Sequence, residues 1–300
     1  MFTRRDHLDS LAIALMLLLC FLWGFQQITI KTANAGVSPI MQAGIRSIIA
    51  FIALSVWMLA RKIRPFQKDG TLFPGIISGL LFSIEFVFMY WGLTYTSASR
   101  AVIFVYLAPF VVALGIHWFI PNEQLNRNQI LGMVLAFTGI LVAFGEGLTI
   151  LTGEEWKGDL ACVFTAIFWG ATTVLVRGSK LSKIEPSRVL YYQLLVSAVI
   201  LIPISMLFAE AGVTHLTPLI IASLAFQGVV VAFFSYLTWF WLIAHYPATR
   251  LSAYTFFTPL FGVICGVLFL SEEFTLGVCI ALLLVTVGIY LVNLKATSAN

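Results

Sequence analysis

Charge is the scarcest commodity in this 300-residue chain: Asp, Glu, Lys and Arg make up only 10% of it, against 60% apolar residues. With a mean hydropathy of +1.00, it cannot clothe the surfaces of the two water-soluble domains its length would otherwise allow. Signatures of catalysis are missing too. No HExxH, paired-cysteine, Walker or Rossmann pattern occurs, and no GxSxG elbow. His7, His117, His215 and His245 are scattered near helix ends or loops. Cys20, Cys162, Cys265 and Cys279 sit inside apolar runs without metal-ligand spacing, and they read as small buried hydrophobes. These absences argue against a resident metal or cofactor, and ATP drive would need another subunit. Basic clusters of the nucleic-acid type, linkers and low-complexity tracts are also lacking.

Apolar runs are what the chain has in abundance. Ten occur, at 11–32, 39–60, 72–94, 98–120, 128–146, 156–177, 187–208, 218–243, 249–270 and 275–294. About 20 apolar residues cross the ~30 Å hydrocarbon layer. Lipid offers the backbone no partners, so the runs must be helices, and the alternating pattern of barrel strands is absent. The expected fold is all-α, integral to a lipid bilayer, with ten transmembrane helices. Arg4-Arg5 ahead of the first run and Ala33-Asn34-Ala35 after it imitate a secretory signal. The run is too long for a signal core, however, and nine others follow, so it reads as a retained helix. With the N-terminus placed in the cytoplasm, thirteen Lys and Arg side chains fall on that side. Only Lys31, Arg100 and Lys157 fall on the other, with Arg46 inside a helix. By the positive-inside rule both termini are expected to be cytoplasmic.

The ten runs divide into two fives with matching landmarks, 1–147 and 148–300. Trp23-Gly24 is followed by Lys31 eight residues after the Trp, and Trp169-Gly170 by Arg177 at the same distance. Arg100 precedes Pro109 by nine residues, and Arg250 precedes Pro259 by nine. Glu123 and Glu272 follow their prolines by fourteen and thirteen, and Gly139 matches Gly288. Five is odd, so the second unit is expected to be inverted relative to the first. An inverted repeat is the mark of secondary transporters, whose solute site lies between the halves near the midplane.

On these residues, the chain resembles the drug/metabolite transporter superfamily, and within it the EamA-type ten-helix transporters, over roughly 11–294. The resemblance implies a multi-pass protein of a bacterial inner membrane, with a cavity lined by helices one to four and six to nine. Helices five and ten would be peripheral. It further implies movement of a small organic metabolite, such as an amino acid or vitamin, by alternating access, with export as the direction. An uptake permease for a vitamin or nucleotide-like metabolite remains the alternative of the same fold. A membrane-embedded enzyme or a channel is the alternative of another class. Monomer and homodimer both stay open.

The prolines remove backbone hydrogen bonds, so Pro109 and Pro259 are either hinges for alternating access or static kinks. Gly75, Gly79 and Ser83, like Gly262 and Gly266, have the small-xxx-small spacing of close helix packing. Glu123 and Glu272 stand at helix entries, where acid either caps the dipole or meets solute. The sharpest constellation is Arg46 with Glu85. At 1.5 Å per residue each lies roughly 10 Å or more from the outer ends of helices two and three. A lone charge there costs at least ~2.5–3.5 kcal/mol, so the two should face each other or a wet cavity. The second half offers Gln193 and either Ser235 or Tyr236 instead, so the repeat alone does not demand the charges. Arg46 would hold an anionic group, or Glu85 would carry the coupling proton; a purely structural pair is the bland alternative. Trp23, Gln26, Arg46, Glu85, Tyr106 and Trp169 are the expected solute-binding residues, with Gln26 preferred to its neighbour Gln27. Tyr191, Tyr192 and Gln193 are placed at the cytoplasmic mouth, and Trp239 and Trp241 in an interfacial belt.

Overall fold

The computed structural model describes residues 5, 7–96, 98–121, 123–149, 153–270 and 276–294. Among these there is no β-strand, and ten helices are long and apolar enough to cross a membrane. They are α1 (Ser10–Ala33), α2 (Pro39–Ala60), α3 (Leu72–Gly92), α4 (Arg100–Phe119), α5 (Arg127–Phe144), α6 (Glu155–Gly178), α7 (Pro186–Leu207), α8 (Pro218–His245), α9 (Ala248–Phe269) and α10 (Leu276–Asn293). The face bearing the N-terminus and the α2–α3, α4–α5, α6–α7 and α8–α9 connections is called the terminal face below, and its opposite the far face.

Local chemistry sets the helix ends. Asp9 caps α1 by accepting from the Ala12 amide at 2.9 Å. Asn126 and Gln129 form a reciprocal capping box at the start of α5. That cap displaces the role expected of Glu123, which instead pairs with Arg177 of α6 at 2.6 Å. Glu272 lies outside the described residues. The first turn of α2 is capped from a distance: Glu210, beyond α7, accepts from the Ile40 and Met41 amides and from the Ser38 hydroxyl.

The prolines do more than kink their helices. α4 is interrupted between Val105 and Ala108, and α9 between Tyr254 and Phe257. Three-residue turns bridge each gap, among them Leu107 N to Phe104 O at 3.2 Å and Phe256 N to Ala253 O at 3.3 Å. Pro109 and Pro259 then fall in the first turn of each second half, where a missing N–H is no loss. In α8 the stretch Phe226–Ser235 winds more loosely, as a π-helix.

Helices α5 and α10 pack on each other at the edge of the bundle. Their backbones nearly touch at Gly132 and Gly288: a Cβ on either would come within 2.5 Å of the other's carbonyl oxygen. Around the centre, α1 packs on α8 and α9, α6 on α3 and α4, α2 on α7 and α8, and α3 on α7. Exchanging each helix for its counterpart five further along leaves this pairing unchanged. Cys20, Cys162 and Cys265 are buried as expected, but Cys279 on α10 is exposed, because the outer surface of this helix has no protein neighbour to cover it.

Ion pairs tie the terminal face together. The Arg177 guanidinium holds Glu123 and also donates to the Ile243 carbonyl of α8. Arg188 of α7 reaches into the α2–α3 connection, pairing with Asp69 at 2.7 Å and donating to the Pro65 carbonyl at 3.2 Å. The Arg188 and Thr71 donors hold the Asp69 carboxyl well below the usual carboxylate range. Arg250 lies 2.8 Å from His7 and donates to the Asn293 carbonyl. At the far face Arg100 pairs with Asp159, which also accepts from Thr96 at 2.8 Å.

Two stability outcomes follow from this packing. Gly288→Leu forces α5 from α10 and should cost about 1–3 kcal/mol or more. Gly145→Ala, where a Cβ would meet nothing within 4 Å, should be neutral; thermal unfolding of the detergent-solubilised protein compares them. Glu123→Gln withdraws a carboxylate from a guanidinium whose side chain is 2% exposed and should cost on the order of 3 kcal/mol. Glu154→Gln, at the exposed pair with Lys157, should cost less than about 1 kcal/mol in the same assay.

Candidate functional site

A cavity of about 460 Å³ lies at the centre of the eight inner helices. Its walls come from the far-face halves of α1, α2, α3 and α4, the middle of α6 and α9, and the terminal-face halves of α7 and α8. Phe144, at the far-face end of α5, closes one side, and α10 contributes nothing among the described residues. The lining reaches the far-face ends of α3, α4 and α5 at Leu93, Ala101 and Phe144, while none of the paired residues of the terminal face lines it. Its volume falls in the ordinary range for small-molecule sites, with apolar walls and few polar groups.

All six expected binding residues line this space: Trp23, Gln26, Arg46, Glu85, Tyr106 and Trp169. Pro259 lines it too, whereas Pro109 does not. Trp23 donates its indole N–H to Ser235 of α8 at 2.9 Å and meets Trp239 edge-on at 5.7 Å. Trp169 meets Tyr106 edge-on at 6.1 Å. Both tryptophans thus act as walls tied to neighbouring helices.

Arg46 is the least ordinary group. Only 1% exposed, it lays its guanidinium 3.9 Å from the centre of the Phe86 ring, a contact that partly offsets lost hydration. Glu85, Tyr90 and Tyr236 all lie within its electrostatic reach. Among the described residues no ion pair within 4.0 Å joins Arg46 to Glu85. Of the two arrangements open to them, they take the shared cavity and not a closed pair. Several lining atoms also have no hydrogen-bond partner among the described residues: Arg46 Nε, Tyr90 Oη, Gln193 Oε1 and Thr258 Oγ1. Buried polar atoms are normally satisfied, and these four belong to residues gathered around one cavity.

Three placements differ from expectation. Gln27 lines the cavity along with Gln26, as its exposed rim residue, because the wall of α1 is wider than one helical stripe. Trp239 is 6% exposed and faces the cavity instead of an interface, held there by its contact with Trp23; Trp241 lies tilted against His245. Of the trio placed at a mouth, only Gln193 reaches the cavity. Tyr192 is buried beneath Gly75 of α3, and Tyr191 packs on Phe51 and Phe66. Tyr90 and Thr258 escaped the sequence reading; a tyrosine well inside a hydrophobic helix was the available signal for the first.

Comparison with known proteins agrees with this geometry. The model of the EamA-like transporter family matches residues 10–145 and 156–294. An uncharacterized transporter of Bacillus subtilis, YoaV, is 25% identical over 272 residues, covering 90% of this chain and 92% of its own. A second from that organism, YvbV, is 28% identical, covering 94% and 91%. A Salmonella typhimurium protein named "Probable amino-acid metabolite efflux pump" is 25% identical, covering 92% and 93%. One solved crystal structure shares the fold with a TM-score of 0.82 at 20% identity, over 95% of this chain and 99% of its own. Relatives and family alike are transporters and not enzymes. With the two matched stretches spanning nearly all of it, the chain belongs to the EamA-like transporter family.

Proposed function

We propose that this chain is a secondary transporter of a small amphipathic organic metabolite, working by alternating access in a bacterial inner membrane with both termini in the cytoplasm. The observation that carries the reading is the central cavity. Its aromatic walls suit an apolar body, while one arginine and one glutamate, the only charged lining groups among the described residues, can anchor charged ends. Arg46 would hold an anionic group through its guanidinium. Glu85 would exchange the coupling proton, with the Arg46 charge alongside. The exchange-symmetric pairing of helices supports an inverted repeat, in which the two sets rock about the solute. Pro109 and Pro259, each just past a break in its helix, are the hinges proposed for that motion.

The class of solute is inferred from two sides, and the direction from one. One relative is named for amino-acid metabolite efflux, and the cavity's mixture of rings, amides and one charge of each sign suits an amino-acid-like solute. Export is the direction proposed, by analogy with that relative.

Protein reconstituted in liposomes and offered pooled metabolites, with and without a pH gradient, should move a small amphipathic solute and discard most others. Electrical recording that found solute-independent currents would make it a channel instead. In the same vesicles Arg46→Ala should lower transport about tenfold or more, the worth of a charged hydrogen bond. Glu85→Gln should retain binding yet lose the pH dependence of the rate. An unchanged pH profile rejects Glu85 as the coupling group.

A further inference from the structure

Two interhelical contacts in the bundle are built alike. On one, Gly79 of α3 brings its backbone against α7, so that a Cβ on it would lie 2.7 Å from Val196 Cβ. On the other, Gly228 of α8 does the same against α2, with a Cβ 2.7 Å from Ile49 Cβ. The residue before each glycine is polar, Ser78 and Gln227. The residue three before each β-branched partner is polar as well, Gln193 and Arg46. Close backbone approach at both sites leaves little freedom in where these side chains can meet.

At the first contact the bond is made: Gln193 Nε2 donates to Ser78 Oγ at 2.7 Å. At the second it is not. Gln227 is fully buried, and neither atom of its amide has a partner among the described residues. Arg46 Nε is unpartnered too, its guanidinium turned into the cavity over Phe86. A buried amide satisfied at neither end destabilises the state that contains it, and a leucine would fill the same space without that cost. Gln227 also lies at the start of the loosely wound stretch Phe226–Ser235, where a helix can change its turn at small cost. The chemistry of the pair leaves one sense for the missing bond, since arginine only donates.

We propose that Gln227 is the positioning residue of Arg46: its amide oxygen accepts from the guanidinium when the cavity closes toward the far face, as Ser78 accepts from Gln193 while it is open. The proposal rests on the transporter reading above. It adds that solute and Gln227 compete for one cation, so that closure of the far face withdraws Arg46 from the cavity. Ser78–Gln193 and Gln227–Arg46 are then alternating latches, one made while the other is broken.

The test uses Gln27→Cys, at the rim, as a reporter in a Cys279→Ser background, labelled in proteoliposomes by a membrane-impermeant maleimide from the far face. Starting from the reporter protein, Ser78→Ala weakens the latch of the open state and should slow labelling about fivefold, the ratio for one hydrogen bond. Adding Gln227→Leu to Ser78→Ala removes the opposing latch and should restore the rate. Gln227→Glu alone offers Arg46 a stronger acceptor and should slow labelling, which keeps the idea testable should the leucine variant fail to accumulate. For a transported solute, Gln227→Leu should lower kcat while lowering the far-face KM, a split that a packing defect would not produce. Labelling that ignores all these changes, or that moves the same way for Leu and Glu, overturns the latch. Labelling shifts without transport of any pooled metabolite would sink the solute reading and leave the latch standing.

Discussion

A guanidinium among hydrocarbon has to be answered by something, and the way each inner arginine is answered separates scaffold from site. Arg100 is answered by Asp159, Arg177 by Glu123 and the Ile243 carbonyl, Arg188 by Asp69, Thr71 and the Pro65 carbonyl. Each of these lies near a membrane face and joins segments distant in sequence. Such pairs are not strong net stabilisers, because desolvation takes back most of the Coulombic gain. Their effect is specificity: a misregistered helix would leave a charge buried without its partner, at several kcal/mol. Arg46 differs in having no carboxylate within ion-pair distance; the face of Phe86 lies against it, with Glu85, Tyr90 and Tyr236 nearby. The molecule tolerates this by placing it beside a cavity, where water or solute can complete its shell.

The same rule governs the backbone. In lipid every N–H must find a carbonyl within its own helix, so interruptions are allowed only where protein or a cavity surrounds them. The breaks in α4 and α9 meet this condition. Tyr106 and Thr258, at their edges, line the cavity, and both stretches are buried. Proline tolerates this arrangement because it stands in the first turn of a new half-helix, where its missing donor is not needed. The exposed face of the bundle, by contrast, is unbroken apolar helix, with residues such as Val56, Leu59 and Leu283 left to the lipid.

Much of this was legible before any coordinates. Ten helices follow from run length alone, while Trp23 and Trp169, Arg100 and Arg250, Pro109 and Pro259 supplied the landmarks on which a repeat is expected. The depth argument for Arg46 and Glu85 sufficed to bring them into one region, since two charges stranded at equal depth have few refuges. What sequence could not supply was direction around each helix. Gln26 and Gln27 are adjacent and both reach the cavity. Trp239, which composition would send to an interface, is turned inward by one ring contact with Trp23. Glu123 looked like a cap because it stands at a helix entry, yet Asn126 was better placed and Arg177 needed a carboxylate. Glu210, which caps α2 from 170 residues away, left no local trace at all.

Symmetry and its breach carry different parts of the design. Where the two halves agree, at Gly79 and Gly228 or at the paired helix breaks, the agreement serves close packing of the same kind at both places. Where they disagree, the disagreement is chemical: Arg46 stands where the second half has Gln193, and Glu85 where it has Ser235 or Tyr236. A carrier made of two identical inverted halves would present the same surface to solute from either side. Replacing one amide by a cation, and one hydroxyl by an acid, gives the cavity a polar axis without disturbing the packing around it. The backbone contacts beneath Arg46 and Gln193 remain alike: a Cβ added to either glycine would lie 2.7 Å from the Cβ of its β-branched partner. That retained likeness is why the two side chains can differ in charge while the helix packing beneath them stays the same.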